Sequence, residues 1–562
     1  MKKNKLLLLT SLLLAFSLVS CNNESKTNSN DSSSTQISSK VSFDIEVSGN
    51  GTASLYKDEY FIGDTVVILV TPDRGNYLGR IEVDNEILSM KDGVYKFVAE
   101  KNSYLIKVIF AQAETNINDF TFIFNEEDNT ASIQKYSTIL QIPNPVVIPE
   151  TVTYNNKTYV VTSIEKNAFS DIDVRSIKLS KNIVTLSENL FDDVFNLEEI
   201  IVDSENPVYS SLNGLLLNKS GDTLIYSPVA YSKDEIVVPE QIIHIGDYAF
   251  SNNKKVKSIK LPANLETIGK YAFNFCTSID SISIPSKVSI INEGLFVHCH
   301  ELQNIEFLGN VVEIKSYAFQ NCNNLIKFTC PSSLKIIDEF AFYDCGLLRD
   351  LELNEGLTTI SNSAFSRNMS LINLTLPSTV TYIGKYAFSE TTVLRSIAFN
   401  EGLKTIDDMA FSNSTYLVDF EIPSSVENIG INPFFGNAGV KNIKVNQNNQ
   451  YFTSVDGVLY TKDLKKLISY PFSKQDSNVT LDEGLEVIGT YAFAYNDKIE
   501  NLTLPKSLKE FGEAPFIYSQ GIKIYYNGTI SEYQTIINHD IINDDAALFN
   551  NYVYCSDGEF AL

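Results

Sequence analysis

Histidine is scarce in this 562-residue chain and tryptophan is absent; there are four histidines and seven cysteines. Metal sites and most general acid–base sites draw on these scarce residue types. The sequence also lacks an HExxH pattern, a Gly-rich phosphate loop, a GxSxG elbow and a Cys-x-x-Cys pair. We therefore expect no catalytic residue, no metal site and no cofactor, and we predict that the chain is not an enzyme.

Basic side chains are also fewer than acidic ones. The chain has 44 Lys and Arg residues and 69 Asp and Glu residues, which gives a formal net charge of −25. Such a surface repels phosphate backbones and anionic lipids, so nucleic acid is excluded as an expected partner. After the first 20 residues no apolar run is long enough to span a bilayer. Any membrane contact is therefore expected only through the N-terminus.

The N-terminus has the order of a secretory signal. Lysines within residues 2–5 precede an apolar run at 6–14, and Leu-Val-Ser-Cys follows at 18–21. This tetrapeptide resembles the bacterial lipobox, in which the cysteine becomes the lipid-bearing first residue. The resemblance implies a signal peptide at 1–20, lipidation of Cys21, and a protein held at the bacterial cell envelope outside the cytoplasm. A plain signal peptide with an unrelated cysteine is the alternative.

Residues 21–40 are mostly Asn, Ser, Thr and charged residues, which predicts a flexible linker. From 41 to 113 the hydrophobic period is two, with Gly and Asn breaks, which predicts a small all-β domain. The segments Gly49–Ala53, Gly63–Val66 and Asn102–Phe110 resemble the internalin B-repeat module. That resemblance implies a spacer or an auxiliary binding module.

A phenylalanine then returns every 23 residues, usually after an alanine, at Phe250, Phe273, Phe296, Phe319, Phe342, Phe365, Phe388, Phe411 and Phe434. A fixed period of this length predicts a solenoid, here over 161–520, in which each repeat is one coil. In one copy Ile259 and Leu261 alternate as in a short strand, and Ala272-Phe273 is expected in a short helical turn. Residues 114–160 and 521–562 are predicted to cap the array, the latter with Tyr525, Tyr526 and Tyr533 as covering aromatics.

The motif Val-x-x-Ile-x-Leu-Pro-x-x-Leu-x-x-Ile-Gly-x-x-Ala-Phe-x-x-Cys at 256–276 resembles the BspA-type leucine-rich repeat. The same frame recurs over most of the chain. The resemblance implies a mainly β leucine-rich-repeat solenoid, found on secreted or surface proteins that are often considered adhesins. A ligand does not follow from the fold.

Two intervals break the period in the same way, because Phe191 to Phe250 and Phe434 to Phe493 are each 59 residues. Matching residues in the two intervals lie 243 apart, such as Gly214 and Gly457. A polar turn between apolar runs predicts an added β-hairpin in each of these long coils.

Four cysteines form a column with the same period, Cys276, Cys299, Cys322 and Cys345. Other coils carry Asn, Ser or Thr in this slot, which favours a ladder of small side chains that hydrogen-bond the neighbouring backbone. Disulfides between adjacent coils and a thiolate metal column are the alternatives. His298 and His300 flank Cys299 and are expected to point away from it.

Two surface columns are candidate contact faces. The outward strand column comprises Ser258/Lys260, Ser281/Ser283, Asn304/Glu306, Lys327/Thr329, Asp350/Glu352, Asn373/Thr375, Ser396/Ala398, Asp419/Glu421 and Asn442/Lys444. The aromatic column comprises Tyr248, Tyr271, Tyr317, Phe340, Tyr386 and Tyr491, and it is either a binding ridge or a cover over the core edge.

The leading hypothesis is a non-enzymatic surface lipoprotein that binds protein, as an adhesin for host or neighbouring-cell components. The alternative is a glycan-binding lipoprotein for polysaccharide capture, in which the 41–113 domain binds the glycan. An enzyme with a site assembled across coils is the third possibility.

Overall fold

The computed structural model describes residues 39–536 and 549–561, apart from 92, 139–140, 189, 192, 232–233 and 419. The predicted signal peptide, Cys21, most of the linker and the predicted contact residue Asp419 lie outside the described residues. The chain forms two compact units, one comprising residues up to 73 together with 78–111, the other 74–77 and 112–562. Nowhere in the described ranges is there a helix long and apolar enough to cross a membrane.

The first unit is all β. Its strands are β1 (Ser42–Ser48), β2 (Gly51–Leu55), β3 (Thr65–Pro72), β4 (Asn76–Val83), β5 (Glu86–Ile87), β6 (Met90–Lys91), β7 (Val94–Val98) and β8 (Ser103–Gln112). They form two four-stranded sheets, β1-β8-β4-β5 and β2-β3-β7-β6, and β1 pairs parallel with β8. Val66, Ile81, Ile106 and Val108 are fully buried, as the alternating apolar pattern predicts.

The second unit begins with a 3₁₀ helix (Ile117–Asp119) and short strands that lead into the array. These are β9 (Phe120–Asn125), β10 (Thr130–Tyr136), β11 (Val146–Val147), β12 (Thr151–Tyr154), β13 (Lys157–Ile164), β14 (Ser176–Leu179), β15 (Thr185–Leu186) and β16 (Glu199–Val202). The first sheet has the order β12-β13-β10-β9, with β15 paired to β13. Tyr136 and Phe169 pack 5.9 Å apart and are fully buried, so aromatic rings cover the first coil.

Each regular coil has one strand of two to four residues on what we call the long-strand face. These strands are β20 (Glu235–Val237), β22 (Ser258–Lys260), β24 (Ser281–Ile284), β26 (Asn304–Phe307), β28 (Lys327–Thr329), β30 (Asp350–Glu352), β32 (Asn373–Thr375), β34 (Ser396–Ala398), β36 (Glu421–Ile422) and β38 (Lys444–Val445). Neighbouring long strands that pair do so in parallel, and Lys327 lies opposite Asp350, one 23-residue period away.

Each coil also has a two-residue strand, and these form a second parallel ladder. They are β21 (His244–Ile245), β23 (Thr267–Ile268), β25 (Ile290–Ile291), β27 (Glu313–Ile314), β29 (Ile336–Ile337), β31 (Thr359–Ile360), β33 (Tyr382–Ile383), β35 (Thr405–Ile406) and β37 (Asn428–Ile429). Seven of them, β25 to β37, make one continuous sheet. The aliphatic residue five before each phenylalanine lies in this ladder.

The segment that carries the repeated phenylalanine is a series of turns, where a short helical turn was predicted. Alternate N–H groups bond to the next coil: Tyr248 to the carbonyl of Lys270 (2.9 Å), Phe250 to that of Ala272 (2.8 Å). A helix needs those N–H groups for its own backbone bonds, so this third inter-coil ladder replaces it. Within the described residues, helix is confined to the 3₁₀ helix and to α1 (Ile530–Ile536).

The phenylalanine rings stack along the array and form its core. Phe250, Phe273 and Phe296 are fully buried, with successive centroids 5.3 and 5.4 Å apart and rings within 16° of parallel. The same stacking continues from Phe342 through Phe365 and Phe388 to Phe411. Stacking makes each coil depend on its neighbours, because one coil alone cannot bury its ring.

Both long coils contain the predicted hairpin. The strands of the first are β17 (Tyr209–Leu212), β18 (Leu215–Asn218) and β19 (Thr223–Tyr226), and those of the second β39 (Phe452–Val455), β40 (Val458–Thr461) and β41 (Lys466–Ser469). Within each set the pairing is antiparallel, and β19 and β41 then join the two-residue ladder. The side chain of Asn218 accepts three backbone N–H bonds and so closes the turn.

The remaining strands are β42 (Asn478–Thr480), β43 (Val487–Ile488), β44 (Asn501–Leu504), β45 (Glu510–Phe511), β46 (Ile522–Tyr526), β47 (Phe549–Cys555) and β48 (Gly558–Ala561). Tyr526 and Tyr533 are buried, whereas Tyr525 is 38 % exposed because alternate residues of β46 face opposite ways. The predicted fold class, a mainly β leucine-rich-repeat solenoid of 23-residue coils together with a small N-terminal all-β unit, is confirmed.

Candidate functional site

The outward side chains of the long-strand face are polar, and many pair with the neighbouring coil. Lys327 forms an ion pair with Glu352 at 2.8 Å, and the Ser283 hydroxyl donates to Glu306 at 2.8 Å. The Lys327 ammonium holds the pKa of Glu352 below its usual range. These side chains satisfy one another, so the predicted outward column is a solvated ladder with few unsatisfied groups for a partner.

Beside this face runs a strip of exposed apolar side chains that we call the edge strip. Its members lie in the segments between the phenylalanine turn and the long strand, and they are between 38 and 61 % exposed: Ile326, Leu347, Met369, Ile372, Tyr416 and Val418. Arg349 and Arg395 alternate with the isoleucines, since their backbone N–H groups donate to the carbonyls of Ile326 and Ile372, 2.9 and 2.8 Å away. The strip thus combines apolar, tyrosine and arginine side chains on five successive coils.

Sequence reasoning missed the edge strip because it followed strand alternation, and these residues precede the strands. The available signal was a slot that reads Ile326, Arg349, Ile372, Arg395 and Val418 at the 23-residue period. Core residues do not alternate with arginine, so that pattern alone separates the slot from the interior.

The predicted aromatic column is half-buried and stacked upon itself. Tyr248 and Tyr271 lie 5.2 Å apart, and Tyr317 and Phe340 lie 5.3 Å apart. Between the two pairs Tyr271 overlies Gly294, where a Cβ atom would come within 2.1 Å of the ring. Burial and the carboxylate of Glu293 raise the pKa of Tyr271 to about 12.

The cysteine column is buried and unpaired. Each thiol donates to the carbonyl of the phenylalanine 26 residues earlier, with Cys276 at 3.2 Å from Phe250 and Cys345 at 3.0 Å from Phe319. Asn368 makes the same bond with its side-chain amide. Burial raises the pKa of Cys345 to about 12. This geometry agrees with the hydrogen-bonded ladder and not with disulfides between adjacent coils.

The histidines beside the column do not converge on it. His298 stacks on Phe275 with centroids 4.4 Å apart, and His300 Nδ1 lies 2.8 Å from Asn323, while Cys299 is fully buried. Burial lowers the pKa of His298. Among the residues that the structure describes, no group of three or more potential metal ligands comes together.

Solved structures with a similar fold come from several bacteria. A leucine-rich cell surface protein of Faecalibacterium prausnitzii A2-165 is 19 % identical and covers 76 % of this chain and 98 % of its own, with a TM-score of 0.37. A leucine-rich repeat protein of Bacteroides ovatus is 25 % identical over 58 % of this chain and 93 % of its own, with a TM-score of 0.37. The pneumococcal vaccine antigen PcpA is 19 % identical over 74 % and 82 %, with a TM-score of 0.27.

No curated protein matches the sequence significantly. The family described as "BspA type Leucine rich repeat region" matches in six copies, over residues 150–211, 230–349, 335–461 and 449–537. These matches span well over half of the chain and coincide with the stacked coils described above. The chain therefore belongs to the BspA-type leucine-rich repeat family.

Proposed function

We propose that this protein is a non-enzymatic surface lipoprotein that binds protein components of host or neighbouring cells through its edge strip. The repeat family and the repeat architecture support a binding scaffold, since solenoids present extended surfaces to protein ligands. The observation that carries the proposal is the strip itself, with six exposed apolar side chains on neighbouring coils.

The composition of the strip is that of a protein interface. Exposed apolar patches of several residues mark interaction sites, and binding hot spots are enriched in tyrosine and arginine. Tyr416 is the most exposed member at 61 %, and Arg349 is held by both oxygens of Asp350, at 3.2 and 3.0 Å. A guanidinium that Asp350 holds in place beside apolar groups favours a partner surface that offers apolar side chains.

The test compares adhesion of cells that display the full-length protein. Ile372→Ser with Val418→Ser removes two strip side chains, and we expect about tenfold weaker adhesion, as for two truncated contact residues. Val184→Ser with Val312→Ser removes two valines of comparable exposure outside the strip and serves as the control. Equal adhesion by both double variants and the parent would refute the strip as the binding surface.

Lipid anchoring at Cys21 is proposed from the sequence alone, with residues 22–40 as the tether. Stable anchoring needs two or more acyl chains, which a lipobox cysteine receives. Metabolic labelling with an alkyne fatty acid is expected to mark the parent and not Cys21→Ser, whereas Cys555→Ser keeps the label. Label retained in Cys21→Ser would reject this site.

Glycan capture by the first unit is the second candidate. Tyr56 is 67 % exposed, and Phe61 and Ile62 of the same β2–β3 loop are also exposed. A ring in this position is able to stack on a sugar. Binding of the full chain to a glycan array would favour this function if Tyr56→Ser abolishes that binding. An array on which the full chain gives no signal would rule out glycan capture.

A further inference from the structure

The aromatic column begins at a groove beside the first long coil. This hairpin groove has a volume of about 580 Å³, and its lining includes four tyrosines and three carboxylates: Tyr209, Tyr226, Tyr248, Tyr271, Glu188, Asp247 and Glu293. The hairpin strand β19 pairs with β21 in the place of a regular coil, and Ile225 of β19 and Tyr248 both line the groove. The groove therefore lies at the break in the period.

The charges of the groove are unequal. Among the described residues that line it, Lys270 is the one basic side chain. It pairs with Glu293 at 2.9 Å, while its backbone N–H donates to Asp247 at 2.7 Å. The ammonium of Lys270 keeps the pKa of Glu293 low, so that carboxylate stays ionised near neutral pH. Glu188 is exposed at the rim. Three carboxylates against one ammonium leave the groove negative.

The second long coil shows that these groups are not required by the architecture. At the positions 243 residues later, Glu188 is replaced by Ile431, Asp247 by Thr490 and Tyr271 by Ala514. There Phe435 packs edge-on against Tyr491 with centroids 5.4 Å apart. The same coil design is therefore built there with apolar and aromatic side chains, and of these two long coils only the first has Glu188 and Asp247 at these positions.

We propose that the hairpin groove binds the arginine or lysine side chain of a basic segment on a protein partner. This inference rests on the proposed protein-binding function and names the chemistry of one contact. Tyrosine faces attract a cation through their π electrons, and carboxylates on the same wall add charge-assisted hydrogen bonds. An anionic ligand is repelled by the carboxylates, and a neutral sugar gains hydrogen bonds from them but no charge attraction.

The test uses a dye-labelled amidated peptide of sequence Gly-Ser-Arg-Gly-Arg-Ser-Gly and a copy with citrulline in place of both arginines. Binding to the full chain is followed by fluorescence anisotropy at about 0.15 M salt, where long-range attraction to an acidic protein is screened. We expect Glu188→Gln with Asp247→Asn to weaken binding about tenfold, and citrulline to weaken it by a similar factor. Both substitutions preserve side-chain size, and the amide oxygen that Asp247→Asn introduces is still able to accept the bond from the Lys270 N–H.

Glu500→Gln with Glu510→Gln changes the net charge equally on exposed side chains away from the groove and is the matched control. It is expected to bind within about twofold of the parent. Equal weakening by the two double variants, or equal binding of the citrulline peptide, overturns the proposal. If the protein instead binds maltoheptaose and not the peptide, and Glu188→Gln with Asp247→Asn weakens that binding, the groove is a saccharide site. Adhesion that depends on the edge strip would survive either result.

Discussion

The residues that flank most of the stacked phenylalanines adopt left-handed backbone conformations. Two residues before the ring, φ is +57° at Tyr248 and +55° at Tyr386; two residues after it, φ is +64° at Asn252 and +58° at Glu390. Each such non-glycine residue costs about 1 kcal/mol or more. The inter-coil N–H bonds of the third ladder hold these residues in place.

This feature gives a prediction at Glu390, whose backbone N–H donates to Ser412 while its side chain is partly exposed. The free energy of unfolding of Glu390→Gly should exceed that of Glu390→Ala by about 1 kcal/mol. Glycine has no Cβ atom and therefore avoids the steric cost that alanine has at positive φ. Chemical denaturation of both variants measures the difference. At Lys287, an exposed turn residue without positive φ, the order should reverse, and a preference for glycine at both sites would contradict the explanation.

At this scale the sequence predicts the buried rings and not the strained positions. Phe273 is recognisable because one residue type repeats with one period. The left-handed slot accepts Tyr271, Ser363 and Met409 alike, since hydrogen bonds from the backbone select its conformation. Gly294 in the same slot is the one visible hint.

The cysteine column is an element whose ionisation is coupled to folding. The four thiols have an ordinary pKa near 9.0, and in the folded chain burial raises the pKa of each, to about 12 for Cys345. Above pH 9 the unfolded chain releases protons that the folded chain retains, so ionisation favours unfolding. The contribution of the column is present below pH 9 and is lost as pH rises toward 12.

We therefore expect a variant with serine at Cys276, Cys299, Cys322 and Cys345 to lose less stability between pH 7.5 and pH 9.5 than the parent. The difference in the two losses should be on the order of 3 kcal/mol for four thiols. Denaturant unfolding under reducing conditions at the two pH values measures it. The buried tyrosines are common to both proteins and cancel. Parallel losses would show that the thiols ionise as readily in the fold as outside it.

The long coils mark the limit of prediction at the element scale. Equal 59-residue intervals predict a hairpin in each, and both are present. One difference between the two hairpins is a transposition, Tyr226-Ser227 against Ser469-Tyr470. As a result Tyr226 packs on the preceding Phe191 at 5.0 Å, and Tyr470 packs on the following Phe493 at 5.0 Å. Strand alternation fixes this choice, and the strand bounds are not readable to one residue from sequence.

In the array, the three inter-coil ladders of the regular coils share one 23-residue register. Deletion of residues 323–345 removes one complete coil and places Phe365 next to Phe319 in the stack. We expect a folded protein with an unchanged far-UV circular dichroism shape and a midpoint of unfolding within a few degrees of the parent, because stability is a sum over neighbouring coils. Deletion of 326–345 removes fewer residues but shifts every ladder by three, and it should abolish cooperative unfolding. Similar behaviour of the two deletions would show that the common register is not what joins the coils.

Since the hydrophobic slots, the buried donors and the turn conformations all repeat with the same spacing, any cut point within a coil is equivalent to its counterpart in the next. Unequal recombination between such cut points would yield alleles with more or fewer coils, and the coils that become neighbours would still pack and hydrogen-bond in register. Related strains are thus expected to differ by whole 23-residue coils. Selection would then adjust the length of the exposed strip without any change in the contacts between coils.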